Sequence, residues 1–229
     1  MSDKAAILGA IRRGLRRGPL PADQMAMLDS RTAAHPRHII PARGQLPPAG
    51  RVALFMKYIE RDYGSSARLP DMAAIPAAIA AYLAGQNLPA ALAYAPHPDF
   101  LALDWSTAPM LRIRAGEAIG SDMVALQRGF AGIAETGTLM LPSGSTTPTT
   151  LNLLADTAIV VIQAREIVGF YEEAFDLLRQ AGPMPRNVML VTGPSRSADI
   201  EQTLELGAHG PRQLHVLIIG DEEATRQAA

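Results

Sequence analysis

Two stretches constrain the fold more than any others. "DTAIVVIQA" (156–164) and "QLHVLIIG" (213–220) are nearly continuous apolar runs, rich in β-branched residues. A strand with one face in water alternates polar and apolar side chains. A run that is apolar at almost every position needs cover on both faces, as in a parallel sheet flanked by other layers. Parallel strands cannot be joined by a tight hairpin, so helical segments must lie between them. The chain has such segments. "RVALFMKYIERDY" and "DMAAIPAAIAAYLAGQ" read as helices, the second with Gly85 as its stop, and "GFYEEAFDLLRQAG" reads as a third, stopped by Gly182. "ALAYAP", "MLRIRAG" and "NVMLVTG" read as further strands, and "GFAGIAETGTLML" holds one or two more. The expected class is α/β, with a mainly parallel sheet covered on both faces.

The N-terminal part reads differently. Residues 3–16 place Ile7, Leu8, Ile11 and Leu15 on one helical face, with arginines opposite. A second short helix is expected over Ala22 to Thr32. "HPRHIIPARGQLPPAG" (35–50) carries four prolines and reads as a linker. The expected division is a helical arm with its linker over 1–49 and the α/β domain over 50–229. The narrow apolar stripe of the arm needs a surface, either its own domain or a second subunit. The Arg-rich start resembles a mitochondrial presequence in part, but Asp3 and the absence of Ser-rich character favour an ordinary helix and a cytoplasmic location.

Composition narrows the function classes. Of 229 residues, 48% are hydrophobic and 19% charged, which suits a sizeable core, and the formal net charge of −1 gives no basic surface for nucleic acid. The one basic cluster, Arg12, Arg13, Arg16 and Arg17, is too local for a duplex. No run approaches the ~18 apolar residues of a membrane span. There is no cysteine, hence no disulfide and no thiolate ligand for zinc or an iron–sulfur cluster in this chain. The histidines give no metal signature: His35 and His38 lie in the linker, and His209 and His215 are six residues apart without a supporting carboxylate pair. No metal is expected.

Two motifs carry polar groups beyond what folding requires. In "VMLVTGPSRSADIEQTLELGAHGPRQLHVLII" (188–219) a strand leads to Gly193-Pro194-Ser195, where α/β sheets commonly hold ligands. Asp199 with Gln202 can cap a following helix, which Gly207 would end. One cap and one stop do not explain the full set of Ser195, Arg196, Ser197, Asp199, Glu201, His209 and Arg212. That set suits an anion at a helix N-terminus. In "GIAETGTLML" (132–141) Gly132, Ala134 and Gly137 permit close backbone approach, and Thr136 and Thr138 add hydroxyls around Glu135. The Ser/Thr/Gly loop "PSGSTTPTT" follows. Thr138 stands where a phosphate-binding P-loop needs lysine, no G-x-G-x-x-G follows a strand, and Ser195 lies in Gly-Pro-Ser-Arg rather than in a nucleophile elbow.

Together these two motifs resemble the LUD domain, and more closely the lactate-utilisation protein C family, whose opening helix "ILGAIRRGL" also resembles. The resemblance covers nearly the whole chain. It implies a Rossmann-like three-layer α/β domain of the type shared by phosphosugar isomerases, CoA transferases and 5-formyltetrahydrofolate cyclo-ligases. It also implies a role in oxidising L-lactate to pyruvate beside a Cys-rich subunit and an iron–sulfur subunit, which would hold the clusters. The motif positions are Glu135, Thr136, Gly137 and Thr138; then Gly193, Pro194, Ser195, Arg196, Ser197, Asp199, Ile200 and Glu201; and last His209, Gly210 and Pro211. Ser197 stands where threonine is common, and alanines stand where the family has Pro and His ahead of the strand at 157. On this reading Arg196 or Arg212 pairs a small carboxylate, and His209 or Glu135 takes a proton from a 2-hydroxy group. Two alternatives stay open. One is a non-catalytic scaffold or metabolite sensor. The other is a CoA-transferase-like or sugar-phosphate-isomerase-like enzyme with Glu135 as nucleophile.

Overall fold

The computed structural model describes residues 3–16, 18–37, 39–198 and 204–220. The chain forms two compact units, Met1–Ile39 and Ile40–Ala229. The first holds α1 (Asp3–Gly14) and α2 (Ala22–Ala34), neither of which has a buried residue. Ile7, Leu8, Ile11 and Leu15 recur at helical spacing, with Leu15 just past the end of α1.

The second unit runs α3 (Pro48–Arg61), β1 (Ser65–Leu69), α4 (Ile75–Gly85), β2 (Ala91–Tyr94), α5 (Pro98–Leu101), β3 (Arg112–Ala115), β4 (Val124–Arg128), β5 (Ala131–Ile133) and β6 (Thr138–Pro142). It continues with β7 (Thr157–Gln163), β8 (Ile167–Val168), α6 (Tyr171–Gln180), β9 (Val188–Thr192), β10 (Arg196–Ala198), β11 (Leu204–Leu206) and β12 (Gln213–Ile219). Six strands form one wholly parallel sheet in the order β1-β12-β7-β4-β2-β3. The expected α/β class with a mainly parallel sheet is therefore what the chain adopts.

The apolar runs at 156–164 and 213–220 are the central strands β7 and β12, paired from Gln213–Thr157 to Ile219–Gln163. Ile159, Val161, Leu217 and Ile219 face a core with Ile75, Ile79 and Leu83 of α4. Val160, Ile162, Val216 and Ile218 point the other way, onto Val52, Phe55 and Ile59 of α3. Burial on both faces is why neither run alternates. The second face is also covered by a four-stranded sheet, β8-β5-β6-β9, whose far side packs on Ala174 and Leu178 of α6.

Two expectations need correction, and two strands have no counterpart in the sequence reading. β9 belongs to this smaller mixed sheet, antiparallel to β6, and is only partly buried, because just one of its faces is covered. The segment before Gly207 ends in a strand: Leu204–Leu206 pairs antiparallel with Arg196–Ala198. Gly207 therefore follows a hairpin strand at φ +83°, and the residues expected to start a helix, Asp199 and Gln202, lie outside the described residues with Ile200 and Glu201. Finally, β1 and β4 escape the pattern of apolar runs. β1 is an edge strand of mixed character, and β4 ends in the buried polar pair Gln127 and Arg128.

Arg128 ties strand ends together. Its guanidinium donates to both oxygens of Glu166 at 2.7 and 2.6 Å, to Asp99 Oδ2 at 2.9 Å and to the Gly129 carbonyl at 2.6 Å. Burial works against its charge, but Glu166 and Asp99 outweigh that and hold its pKa above the ordinary value.

α3 is pinned by two glycines. A Cβ on Gly137 (φ +67°) would lie 2.6 Å from Tyr58 Cβ, and one on Gly193 (φ +72°) 2.4 Å from the Asp62 carbonyl oxygen. Both backbones therefore abut the C-terminal end of α3, in a conformation L-residues rarely adopt. Gly137→Ala and Gly193→Ala should each destabilise the fold by about 1–3 kcal/mol in urea unfolding. Gly85→Ala, with open space around it, should be neutral or stabilising.

His215 gives the sheet a pH dependence. It is buried in β12, stacked on Tyr82 with ring centroids 3.9 Å apart, and shares a 2.8 Å hydrogen bond with Ser65 Oγ. Burial pushes its pKa down from 6.5 to about 4, so the fold favours neutral imidazole. That contribution is complete above pH 6.5 and is lost as the pH falls towards 4. His215→Phe should remove about 3 kcal/mol of the stability difference between pH 7 and pH 4, read from unfolding curves at both.

Candidate functional site

The C-terminal motif lines a cavity of about 340 Å³ between the two sheets. Its floor is part of the parallel sheet's second face: Gln127 of β4, Ala158 and Val160 of β7, and Leu214 of β12. Those positions are in register, since Gln127 pairs Val160 and Ala158 pairs Leu214. One wall is β9 from Met189 onward, which leads into Gly193, Pro194, Ser195, Arg196 and Ser197. The turn His209-Gly210-Pro211 forms another, and Asn152 closes the set.

Ser195 holds the two loops at a fixed distance. Its backbone N–H donates to the Pro211 carbonyl at 2.8 Å, its carbonyl accepts from Gly207 N at 3.0 Å, and its Oγ accepts from His209 N at 3.2 Å. The Ser195 hydroxyl proton is still able to donate elsewhere. Arg196 lies over the Tyr63 ring with its Cζ 3.5 Å from the centroid. Stacking uses the face of a guanidinium and leaves its N–H edges directed outward, the geometry that suits a forked pairing with a carboxylate. Arg196 has no carboxylate partner among the described residues. Arg196 and His209 are exposed at the rim, and the small, half-buried Ser197 and Gly210 lie deeper.

The two sequence motifs meet, but not by sharing this cavity. Thr138 of β6 pairs directly across from Thr192 of β9, and their hydroxyls are 2.6 Å apart. Thr138 Oγ1 also bonds Thr136 Oγ1 at 2.7 Å and the Tyr171 hydroxyl at 3.0 Å. A hydroxyl network thus runs from the start of α6 to Thr192, a cavity wall. Glu135 lies at the other end. It is buried, and its Oε1 accepts from Tyr171 N, the first N–H of α6, at 3.3 Å. Its carbonyl accepts from Arg43 Nε at 3.0 Å. The expectation that Glu135 faces the same ligand as the Ser195 cluster is not met: its carboxylate serves the positive end of a helix. Gly137 and Gly193 admit α3 rather than a ligand, which explains their spacing from the polar groups. Arg212 points away from the cavity, exposed and 3.6 Å from Asp156.

Sequence reasoning missed Gln127 and Asn152. Both are almost wholly buried, at 2% and 6% exposure, and Gln127 Nε2 and Asn152 Oδ1 have no hydrogen-bond partner among the described residues. A polar residue inside an otherwise apolar strand, as in "VALQRG", is the signal that could have found Gln127. Asn152 has no comparable mark.

A wider cavity of about 650 Å³ lies beyond the carboxyl ends of the parallel strands, beside His97, Arg128 and Glu166. Its charged groups satisfy one another, so it offers less to a ligand. Among the described residues, no group of three or more His, Cys, Asp or Glu could hold a metal ion, and no helix is long and apolar enough to cross a membrane.

Comparison with known proteins agrees with this geometry. The LUD domain family matches residues 118–219, which include both motifs and the cavity floor. An uncharacterized protein of Neisseria meningitidis serogroup B is 43% identical over 100 residues, covering 41% of this chain and 42% of that protein. Lactate utilization protein C of Bacillus subtilis is 34% identical over 93 residues, covering 39% of each chain. The chain thus matches about two fifths of the length of these relatives. A crystal structure of a DUF162 family protein from Deinococcus radiodurans shares the fold, with a TM-score of 0.54 at 21% identity over 76% of this chain and 99% of that one. Residues 118–219 of this chain thus resemble the LUD domain, and part of its length is similar to lactate utilization protein C.

Proposed function

We propose that the protein serves lactate utilisation by holding a small 2-hydroxy carboxylate in the cavity between its two sheets. The observation that supports this most is the cavity wall itself. Arg196 presents free N–H edges, Ser195 and Ser197 add hydroxyls, and His209 stands at the same rim. Arg196 pairs the carboxylate, and His209 accepts the hydroxyl proton as the acid is oxidised to the 2-oxo acid. The two electrons and the C2 hydrogen must pass to an acceptor outside this chain, which has no cysteine to hold a cluster. A Cys-rich subunit and an iron–sulfur subunit are the partners that fit, in the cytoplasm.

The chain mixed with those two subunits should reduce a dye in the presence of L-lactate. Arg196→Ala should raise the apparent KM at least about tenfold, the loss expected for a charge-assisted pair. His209→Ala should lower kcat by about 100-fold or more if it is the base. Wild-type rates in both variants would refute the assignment.

A second reading, binding without turnover, is favoured by one observation: the buried acid of the Glu135 motif is engaged at a helix end. Glu135→Gln should lower stability by about 0.3–1 kcal/mol, through the lost charge at the start of α6, and leave lactate affinity unchanged. Denaturation and calorimetric titration of that variant read the two effects separately.

A further inference from the structure

Helices α3 and α4 end in the same way. In each, the residue two past the last helical one is left-handed, and a pair of backbone hydrogen bonds closes the turn. At α4 the left-handed residue is Asn87 (φ +52°); Leu88 N donates to the Leu83 carbonyl at 2.9 Å and Asn87 N to the Ala84 carbonyl at 3.2 Å. At α3 it is Tyr63 (φ +69°); Gly64 N donates to the Ile59 carbonyl at 2.8 Å and Tyr63 N to the Glu60 carbonyl at 3.1 Å. Glycine and asparagine enter this conformation at little cost, whereas a bulky side chain there is an outlier. Stability alone therefore favours glycine or asparagine at position 63.

The tyrosine does not make up for this by packing, since it is 67% exposed. Its ring carries a guanidinium instead: Arg196 Cζ lies 3.5 Å from the ring centroid. At that separation the guanidinium must lie face-on, because turned on edge it would drive a nitrogen into the ring. The plane of Arg196 is thus set by the ring of Tyr63. The backbones on either side are held close as well. The Arg196 loop begins at Gly193, which abuts the carbonyl of Asp62, the residue before Tyr63. An exposed arginine on a three-residue strand otherwise has many rotamers, and a ligand that meets it must order it. A guanidinium already laid on a ring avoids that entropy loss.

We propose that Tyr63 is a positioning residue for the ligand: it holds the Arg196 guanidinium in the plane in which its N–H edge meets a carboxylate, and the strained turn at the end of α3 is kept for that purpose. Tyr63 acts through Arg196 rather than on the ligand. The inference rests on the reading that Arg196 pairs a small carboxylate.

The test uses the full chain with two readouts, calorimetric titration with L-lactate and nitrogen-15 relaxation of Arg196 Nε. Tyr63→Gly removes the ring and relieves the turn. Its melting temperature should not fall, its Arg196 Nε should become more mobile, and its affinity for lactate should drop about three- to tenfold, the loss expected when one long side chain must be ordered on binding. Tyr63→Phe keeps the ring face, so Arg196 Nε should stay as ordered as in wild type and lactate should bind within about twofold of wild type. Tyr63→Asn, the residue that α4 uses, should repeat the glycine result. A melting temperature lowered in both Tyr63→Gly and Tyr63→Asn would assign the ring to the fold and overturn the proposal. So would a loss of affinity in Tyr63→Phe equal to that in Tyr63→Gly, which would point to the phenol hydroxyl. If wild type binds lactate and Tyr63→Gly binds it equally well, or if Arg196 Nε is as mobile in wild type as in Tyr63→Gly, Tyr63 positions nothing, and the carboxylate site stands without it. If wild type does not bind lactate, the carboxylate reading fails and this inference with it.

Discussion

The close approach of α3 to Gly137 and Gly193 is the contact on which the rest of the domain depends. The helix fills the second face of the parallel sheet through Val52, Phe55 and Ile59, and its last turn rests on two left-handed glycines of the smaller sheet. Without a Cβ at either position the small sheet comes close enough for β6 and β9 to pair from Pro142–Val188 to Thr138–Thr192. That pairing in turn places the Ser195 loop over the floor made by β4, β7 and β12. The glycines thus shape the cavity without lining it with polar groups.

This arrangement moves the candidate site from the place that an open α/β sheet would suggest. Ligands of such sheets commonly sit beyond the carboxyl ends of the strands. Here that edge is occupied by Arg128 with Asp99 and Glu166, a set of charges already paired among themselves. The added mixed sheet creates a second opening, over the face of the strands, and the unpaired groups are there. The presence of Arg196 and His209 at one cavity, against a saturated ionic cluster at the other, is what distinguishes binding capacity from structural pairing.

Some of the site was legible. Ser195, Arg196, Ser197, His209 and Gly210 stand together because they lie within one motif, and a short hairpin keeps them close. Glu135 was legible as a special residue but not in its role. An acid in a Thr-Gly-Thr turn looks alike whether it meets a substrate or the first N–H of a helix some 35 residues later, and only the fold brings Tyr171 N to it. Gln127 and Asn152 were not legible as site residues. Their significance is an absence of partners, and partners are set by packing across the chain rather than by neighbours in it.

Taken alone, the sequence determined the class of the fold. Two apolar runs with no alternation require burial on both faces, and helices at the right spacing supply one cover, so a parallel α/β sheet follows from local chemistry. It also determined that no thiolate of this chain can ligate a metal or a cluster, since there is no cysteine. Tertiary structure alone decided that β9 joins a second sheet, that Gly137 and Gly193 receive a helix, and that Gln127 and Asn152 line one cavity. These outcomes depend on which distant surfaces meet, and hydrophobic periodicity carries information about faces but not about partners.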